Sequence, residues 1–161
     1  MTNQQVTTTV IPSQEHLAYW VGSLASAIGK GAGEELAPMG EMPCRWAILE
    51  AAFYGNANTL TGLARIIPVD AASISRQLDK LQKSGLVRRR RLRSDRCTVR
   101  IELTEAGRGL VPKLSPRIQA NNDRFLSGIS AAEQAAFTGI IQTMLKNAAF
   151  TAEPAAASPI C

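Results

Sequence analysis

The sequence predicts a mainly helical protein that carries one small β-hairpin, a fold of the α+β class. Alanine and leucine are its most frequent residues and aromatic residues make up only 5% of the chain, a composition that favours helices. Apolar residues recur at helical spacing through most of the sequence, whereas Val99, Ile101 and Leu103 alternate with polar residues, as in a half-buried strand. With 161 residues, 45% of them hydrophobic, the chain is long enough for one domain with its own core. Six helices and one hairpin are expected.

The first two helices precede the basic part of the chain. An apolar stripe predicts the first helix over residues 13–28, and the glycines at 29, 31 and 33 are expected to interrupt or end it. Pro43 suits the first turn of the second helix, because a proline there loses no helical hydrogen bond, and Gly55 closes that helix.

Two short helices follow, separated by a tight turn. Thr59 is the expected N-cap of the third helix (59–67), which Pro68 stops. Asp70 is the expected cap of the fourth helix, and Gly85 follows it where a helix end requires positive φ. The predicted buried stripe of the fourth helix is Ile74, Leu78 and Leu81.

The last two helices follow the hairpin. Thr104 is the expected cap of the fifth helix, which runs to about Ser127 and which Pro112 and Pro116 should kink or split. The segment Ser-Ala-Ala-Glu at 130–133 is a capping box and opens the sixth helix.

Positive charge is concentrated in the hairpin. Residues 86–100 hold seven arginines and one aspartate, a net +6, while the other residues hold 11 basic and 12 acidic side chains, a net −1. A disordered basic tail and a structured hairpin both fit that charge, but only a strand with one buried face explains the alternation. A neutral body with one basic projection indicates a polyanionic partner.

The order of elements indicates what that partner is. Two short helices followed by a hairpin form a winged helix-turn-helix, expected over about residues 46–104. The exposed face of the fourth helix begins with small residues and continues with Arg76, Lys80 and Lys83, as suits a helix lying in the major groove of double-stranded DNA.

The sequence also resembles MarR-type (multiple antibiotic resistance regulator) transcription factors over about residues 14–148. Residues 85–107, GLVRRRRLRSDRCTVRIELTEAG, are similar to the wing signature of that family, with Asp95–Arg96 and then Leu-Thr-x-x-Gly at 103–107. APMGEMPCRWAILEAA and LARIIPVDAASISRQLDKLQKSGLV are similar to the segments before it. One departure is Cys97, which stands where the family has a second arginine.

The resemblance implies a sequence-specific transcription regulator, more often a repressor, that binds a pseudo-palindromic operator. It implies an intertwined homodimer, formed by helices at about 13–30 and 105–150, within a domain spanning 13–150. Residues 1–12 and 151–161 are expected to be a flexible arm and tail. Arg96 would enter the minor groove, oriented by Asp95. The residues assigned to DNA are Thr59, Ser73, Ser75, Arg76, Gln77, Lys80, Arg89, Arg91, Arg93, Asp95 and Arg96.

The same resemblance implies a small, aromatic or anionic effector that releases DNA. The residues assigned to such a cleft are His16, Tyr19, Trp20, Met42, Arg45 and Trp46, although packing is the competing interpretation for each of them. Redox control through Cys97 is an alternative, because neighbouring arginines would lower the pKa of its thiol. A winged helix that binds proteins without DNA specificity is the other alternative.

Other classes find little support in the residues. A single histidine, no paired cysteine motif and no phosphate-binding glycine loop give no basis for an enzyme, a metal site or a cofactor. The sequence shows neither a signal peptide nor a membrane-spanning run, so a cytoplasmic location is expected.

Overall fold

A computed structural model describes residues 16–91 and 99–148 of the chain. Six α-helices and a two-stranded antiparallel sheet make up these residues, and a short 3-10 turn at Ala37–Met39 follows the first helix. The elements are α1 (Leu17–Leu36), α2 (Pro43–Tyr54), α3 (Leu60–Ile66), α4 (Ala71–Lys83), β1 (Val87–Arg91), β2 (Val99–Leu103), α5 (Glu105–Leu126) and α6 (Ala131–Asn147). The mainly helical winged-helix fold expected from the sequence is confirmed.

Side-chain caps begin α3 to α6, as predicted. The oxygen of each capping side chain accepts a hydrogen bond from a backbone N–H three residues later, which satisfies a group that the helix leaves unpaired. The capping pairs are Thr59 with Gly62, Asp70 with Ser73, Thr104 with Gly107 and Ser130 with Glu133. Glu133 also returns a bond to the backbone of Ser130 and completes the capping box.

The first helix is longer than the sequence predicted. The expectation that glycines end it near residue 30 is wrong, because α1 continues through them to Leu36. Gly31 is buried against α5, where a Cβ would collide with the side chains of Asn121 and Arg124. Asn121 is itself buried and donates a hydrogen bond from Nδ2 to the carbonyl of Ile28 at 3.2 Å. Packing against α5 therefore outweighs the low helix propensity of glycine.

The fifth helix is not split by its prolines. α5 is one continuous helix from Glu105 to Leu126 with Pro112 and Pro116 inside it. Both prolines are exposed, whereas Val111 and Leu114 on the opposite side are buried. The hydrogen bonds that the prolines remove thus lie on the solvent side, where water can satisfy the freed carbonyls.

The hairpin is antiparallel and contributes its inner face to the core. Val87 pairs with Leu103 and Arg89 pairs with Ile101, so that these positions share a face, and Val87, Ile101 and Leu103 are buried. A backbone bond of 2.7 Å from the Ile101 N–H to the carbonyl of Asn58 ties β2 to the loop before α3. The turn between the strands lies outside the described residues.

The core lies between α2, α3, α4, the hairpin and the first half of α5. Its members share near-complete burial: Leu36, Ile48, Leu49, Leu63, Ile74, Leu78, Leu81, Val87, Val111 and Leu114. The predicted inner stripe of α4 is confirmed. α6 contributes no buried residue, and no described helix is long and apolar enough to cross a membrane.

A tight joint connects the hairpin to α5. The Thr104 hydroxyl donates to the carbonyl of Gly85 at 2.6 Å and accepts from the Gly107 N–H at 3.1 Å, while the Thr104 N–H donates to the carbonyl of Leu86 at 3.1 Å. A Cβ on Gly107 would collide with the carbonyl oxygen of Leu86. The hydrogen bonds account for the threonine of the segment 103–107, and the close contact with Leu86 accounts for its glycine.

We expect Gly107→Ala to lower the free energy of unfolding by about 1 to 3 kcal/mol, because backbone must move to admit the methyl group. Urea denaturation at a fixed protein concentration would measure it. Gly109→Ala is the matched control, since Gly109 lies on the same helix with open space around its Cβ position, and alanine there should stabilise the helix by up to about 1 kcal/mol. Equal losses in both variants would contradict the steric explanation.

The hydrogen bonds of Asp70 predict that the stability of the fold depends on pH. Its carboxylate accepts hydrogen bonds from the hydroxyl and the backbone N–H of Ser73, and these bonds hold the pKa of Asp70 below its usual value. A lowered pKa in the folded state adds stability above the unfolded pKa, and the addition disappears as pH falls through the folded value.

We expect Asp70→Asn to be less stable than the wild type at neutral pH, with a difference that shrinks as pH falls below about 4. Asparagine still caps a helix, so the variant should fold. Thermal unfolding at several pH values would measure the difference. Ser73→Ala, which keeps the carboxylate and removes the hydroxyl donor, should show a weaker pH dependence than the wild type. A difference between Asp70→Asn and wild type that is the same at pH 3 and pH 7 would contradict the assignment.

Candidate nucleic-acid interface

The outer face of α4 is polar and basic. Its inner stripe fills the core, so the helix presents the opposite side to solvent. Exposed residues on that side are Ala72, Arg76, Lys80 and Lys83, with Ser73 half-buried at the N-terminal end. Small side chains therefore precede basic ones along the exposed face, as the sequence predicted.

A chain of hydrogen bonds holds Arg76 at the beginning of α4. The Ser73 hydroxyl donates to Asp70 Oδ2 at 2.6 Å and accepts from Arg76 Nη2 at 2.7 Å. A hydroxyl has only one proton, so Ser73 donates that proton to Asp70 and accepts the hydrogen bond of Arg76 with a lone pair. The guanidinium is thus drawn toward the N-terminal turn of the helix. Asp70 was predicted from the sequence only as a cap, although its spacing of three from Ser73 could have indicated this second contact.

The remaining assigned residues of the helix-turn-helix have different surroundings. Thr59 uses its side-chain oxygen to cap α3, and an isolated β-bridge joins it to Arg100. Ser75 and Gln77 are half-buried, and Gln77 Oε1 is buried without a hydrogen-bond partner among the described residues. Lys80 is exposed. These residues lie on α3 and α4 or at their ends, next to the hairpin.

The inner face of the hairpin is tied to α4 by Arg89. Its Nη1 forms an ion pair with Asp79 Oδ1 at 2.5 Å and donates to Gln82 Oε1 at 3.4 Å, while Nη2 lies 3.5 Å from the carbonyl of Ser75. Arg89 was assigned to DNA from the sequence, and in the structure its guanidinium contacts α4 of the same chain. Asp79 was missed, although it is the one acidic residue within α4.

The outer face of the hairpin carries three arginines and one acid. Arg88 lies directly opposite Glu102, and Arg90 lies directly opposite Arg100. Two nitrogens of Arg88, Nε and Nη2, each lie 2.8 Å from Glu102 Oε2, and Arg90 Nη1 lies 3.8 Å from Oε1. Glu102 was not among the residues assigned from the sequence, although its alternation with Ile101 and Leu103 places it on this face.

The end of the hairpin is only partly described. Arg91, the last described residue of β1, is exposed. Arg93, Asp95 and Arg96, assigned to the wing tip, and Cys97, the candidate redox residue, lie outside the described residues. In the part that is described, no group of three or more His, Cys, Asp or Glu residues could hold a metal ion.

The residues assigned to an effector form two separate groups in one chain. Tyr19 and Trp20 are exposed near the start of α1, where their rings meet edge to face with centroids 5.2 Å apart, and His16 directly precedes that helix. The other three residues, Met42, Arg45 and Trp46, form the second group, at the beginning of α2. α1 approaches α2 near Gly33, where an added Cβ would lie 3.9 Å from the side chain of Pro43. Tyr19 is fourteen residues earlier, which is about 21 Å along a helix.

The second group is mostly engaged in packing. Arg45 Nε lies 3.0 Å from Glu41 Oε2 in a largely buried ion pair. Burial raises the pKa of Glu41, and the charge of Arg45 partly offsets that rise. Trp46 is only 7% exposed and belongs to the core, whereas Met42 is exposed. Cys44 packs against the same core, and burial raises the pKa of its thiol.

Comparisons with known proteins find similar sequences and similar folds. The MarR family model matches residues 44–99, which extend from α2 to the first residue of β2. A MarR-family transcriptional regulator from Silicibacter pomeroyi is 27% identical, with a TM-score of 0.72 over 83% of this chain and 90% of that one.

Two further solved structures share the fold at lower identity. CouR from Rhodococcus jostii RHA1, solved with p-coumaroyl-CoA, is 22% identical, with a TM-score of 0.70 over 84% of this chain and 93% of its own. BpsR from Bordetella bronchiseptica, whose DNA binding is regulated by 6-hydroxynicotinic acid, is 17% identical, with a TM-score of 0.75 over 84% of this chain and 96% of its own. The match of its helix-turn-helix segment and the likeness of its whole fold show that this chain is similar to transcriptional regulators of the MarR family.

Proposed function

We propose that this protein is a sequence-specific, double-stranded-DNA-binding repressor that acts in the cytoplasm as a homodimer. The observation that carries the proposal is the position of Arg76, held by Ser73 on the exposed face of α4 beside an arginine-rich hairpin.

The recognition helix supplies the sequence-reading part. An arginine at the N-terminal end of a helix in the major groove can donate two hydrogen bonds to the O6 and N7 of guanine. The Ser73 hydroxyl holds the guanidinium in place before DNA arrives, which lowers the entropy lost when Arg76 binds a base. Lys80 and Lys83, farther along the helix, suit phosphates.

The hairpin supplies affinity that does not depend on sequence. Arg90 directly opposes Arg100, and like charges at opposed positions destabilise a two-stranded sheet. The opposed pair of Arg90 and Arg100 lowers stability, and a polyanionic partner best explains it, because such a partner would attract both positive charges. Arg91, Arg93 and Arg96, at the tip end, are assigned to the DNA backbone and the minor groove, with Asp95 orienting Arg96.

The dimer is proposed from two helices whose apolar residues the chain leaves exposed. They are Leu17, Trp20, Val21, Leu24 and Ile28 on α1, and Phe137, Ile140 and Leu145 on α6. Monomeric proteins rarely expose so many large apolar residues on two of their helices. A two-fold dimer through α1, α5 and α6 would cover them and present two recognition helices to a pseudo-palindromic operator.

The proposed regulator also binds a small-molecule effector. The named ligands of CouR and BpsR, p-coumaroyl-CoA and 6-hydroxynicotinic acid, both contain an aromatic ring and an anionic group. We assign the corresponding role here to an aromatic or anionic compound that relieves repression. His16, Tyr19 and Trp20 are about 20 Å along α1 from the α2 group, so one chain alone does not form a cleft from all six assigned residues.

The experiment that tests DNA binding is fluorescence anisotropy with DNA from the region upstream of the protein's own gene, titrated over a salt series. If each subunit neutralises about four to five phosphates, the logarithm of the binding constant should fall with the logarithm of salt concentration at a slope of about −7 to −9 for the dimer. A preference of about 10³ or more over random DNA is expected for one pseudo-palindromic site.

Random DNA of equal length is the matched control in that experiment. Salt-sensitive binding without a preference would contradict a sequence-specific repressor. Absence of binding at every salt concentration would favour a winged helix that binds proteins.

Sedimentation velocity tests the dimer. The wild type should sediment as a dimer, and Ile140→Glu should shift it toward monomer, because each subunit would bury an unpaired carboxylate in the interface. Tyr54→Glu is the matched control, since Tyr54 on α2 is 63% exposed and Ile140 is 59% exposed. The interface assignment fails if the wild type is monomeric, or if both variants dissociate equally.

A further inference from the structure

We infer that Glu102 is an internal competitor of DNA, which occupies Arg88 and Arg90 on the outer face of the hairpin and so limits the affinity of the wing for phosphate. This inference rests on the proposed DNA-binding function. It assigns to an acidic residue of the wing a role opposite to that of the arginines around it.

The geometry places one carboxylate between two arginines. Arg88 faces Glu102 across the strands and brings two nitrogens to the same oxygen at 2.8 Å. Arg90 is diagonal to Glu102 and approaches its other oxygen at 3.8 Å. One oxygen of Glu102 is therefore bound by Arg88, and the other lies within ion-pair distance of Arg90, both on the strand that the proposed function places against DNA.

Exposure indicates that these contacts can be exchanged. The side chains of Arg88 and Arg90 are 65% and 68% exposed, whereas that of Glu102 is 29% exposed. Ion pairs at such exposed positions contribute little to stability, so a phosphate oxygen can replace the carboxylate. The arginines can turn toward DNA, but the carboxylate remains on the same face of the hairpin and repels the phosphate that replaces it.

The effect of Glu102 should be the same for every DNA sequence. Contacts with phosphates carry no direct information about base identity. The carboxylate should thus weaken specific and random binding by a similar factor, and it should make binding less sensitive to salt, because fewer counterions are released from DNA when the wing contacts fewer phosphates.

The test is the DNA-binding titration of Glu102→Gln against the wild type, on the preferred site and on random DNA, over the same salt series. Glutamine has nearly the same shape and can still accept hydrogen bonds from Arg88. We expect tighter binding to both DNAs by about threefold to tenfold, in keeping with the weakness of exposed pairs. One additional phosphate contact per subunit should steepen the salt slope by about 2.

Two further variants separate the effect of the Glu102 carboxylate on its arginine partners from the effect of a change in net charge. Glu105→Gln makes the same change in net charge at the first residue of α5, outside the hairpin, and should bind DNA as the wild type does. In an Arg88→Gln background, Glu102→Gln should have a smaller effect, because its main partner is gone. If Glu102→Gln does not fold, Glu102→Thr replaces it, since threonine suits a strand.

The outcomes distinguish the inference from the proposed function. If the wild type binds no DNA, the proposed function fails and the inference fails with it. If the wild type binds DNA but the folded variant binds equally or more weakly, or with an unchanged salt slope, only the inference is overturned. Tightening restricted to the preferred site would also overturn it, since that result would place Glu102 near a base.

Discussion

The contact between Gly107 and the carbonyl oxygen of Leu86 is the constraint on which the position of the hairpin depends. It brings the first turn of α5 directly onto the chain that leaves α4, closer than any side chain would permit. Thr104 strengthens the same joint by capping α5 and donating to the carbonyl of Gly85. Since α5 also packs against α1, this one contact relates the hairpin and α4 to the helices proposed to form the dimer.

The charges of the hairpin are organised by its two faces. On the inner face, Arg89 is bound by Asp79 and Gln82, which connects the hairpin to α4. On the outer face, Glu102 engages Arg88 and Arg90 and offsets the repulsion between Arg90 and Arg100. Each face of this strongly positive segment thus carries one acid that pairs with its arginines, Asp79 from α4 on the inner face and Glu102 on the outer face.

The chain separates a well-packed lobe from helices that it leaves uncovered. The winged-helix part has a continuous core, whereas α6 has no buried residue and the first half of α1 is exposed along its whole length. Between them, Asn121 is buried and links α5 to the carbonyl of Ile28. A buried amide that reaches one particular carbonyl fixes how α1 and α5 are aligned more strictly than apolar contact alone would, because a shift would leave both groups unpaired.

The sequence by itself determined the features that depend on neighbours within a few residues. The caps at Thr59, Asp70, Thr104 and Ser130 and the alternation in β2 could be predicted because each requires only local hydrogen bonds or a local period. The family resemblance followed from the same segments.

Only the tertiary structure decided where distant residues meet. α1 continues through its glycines because Gly31 packs against Asn121, which is ninety positions later; Arg89 pairs with Asp79; and Trp46 lies in the core. Each of these features forms only when the folded chain brings separate elements together. Residue type and spacing along the sequence do not indicate which distant elements will meet.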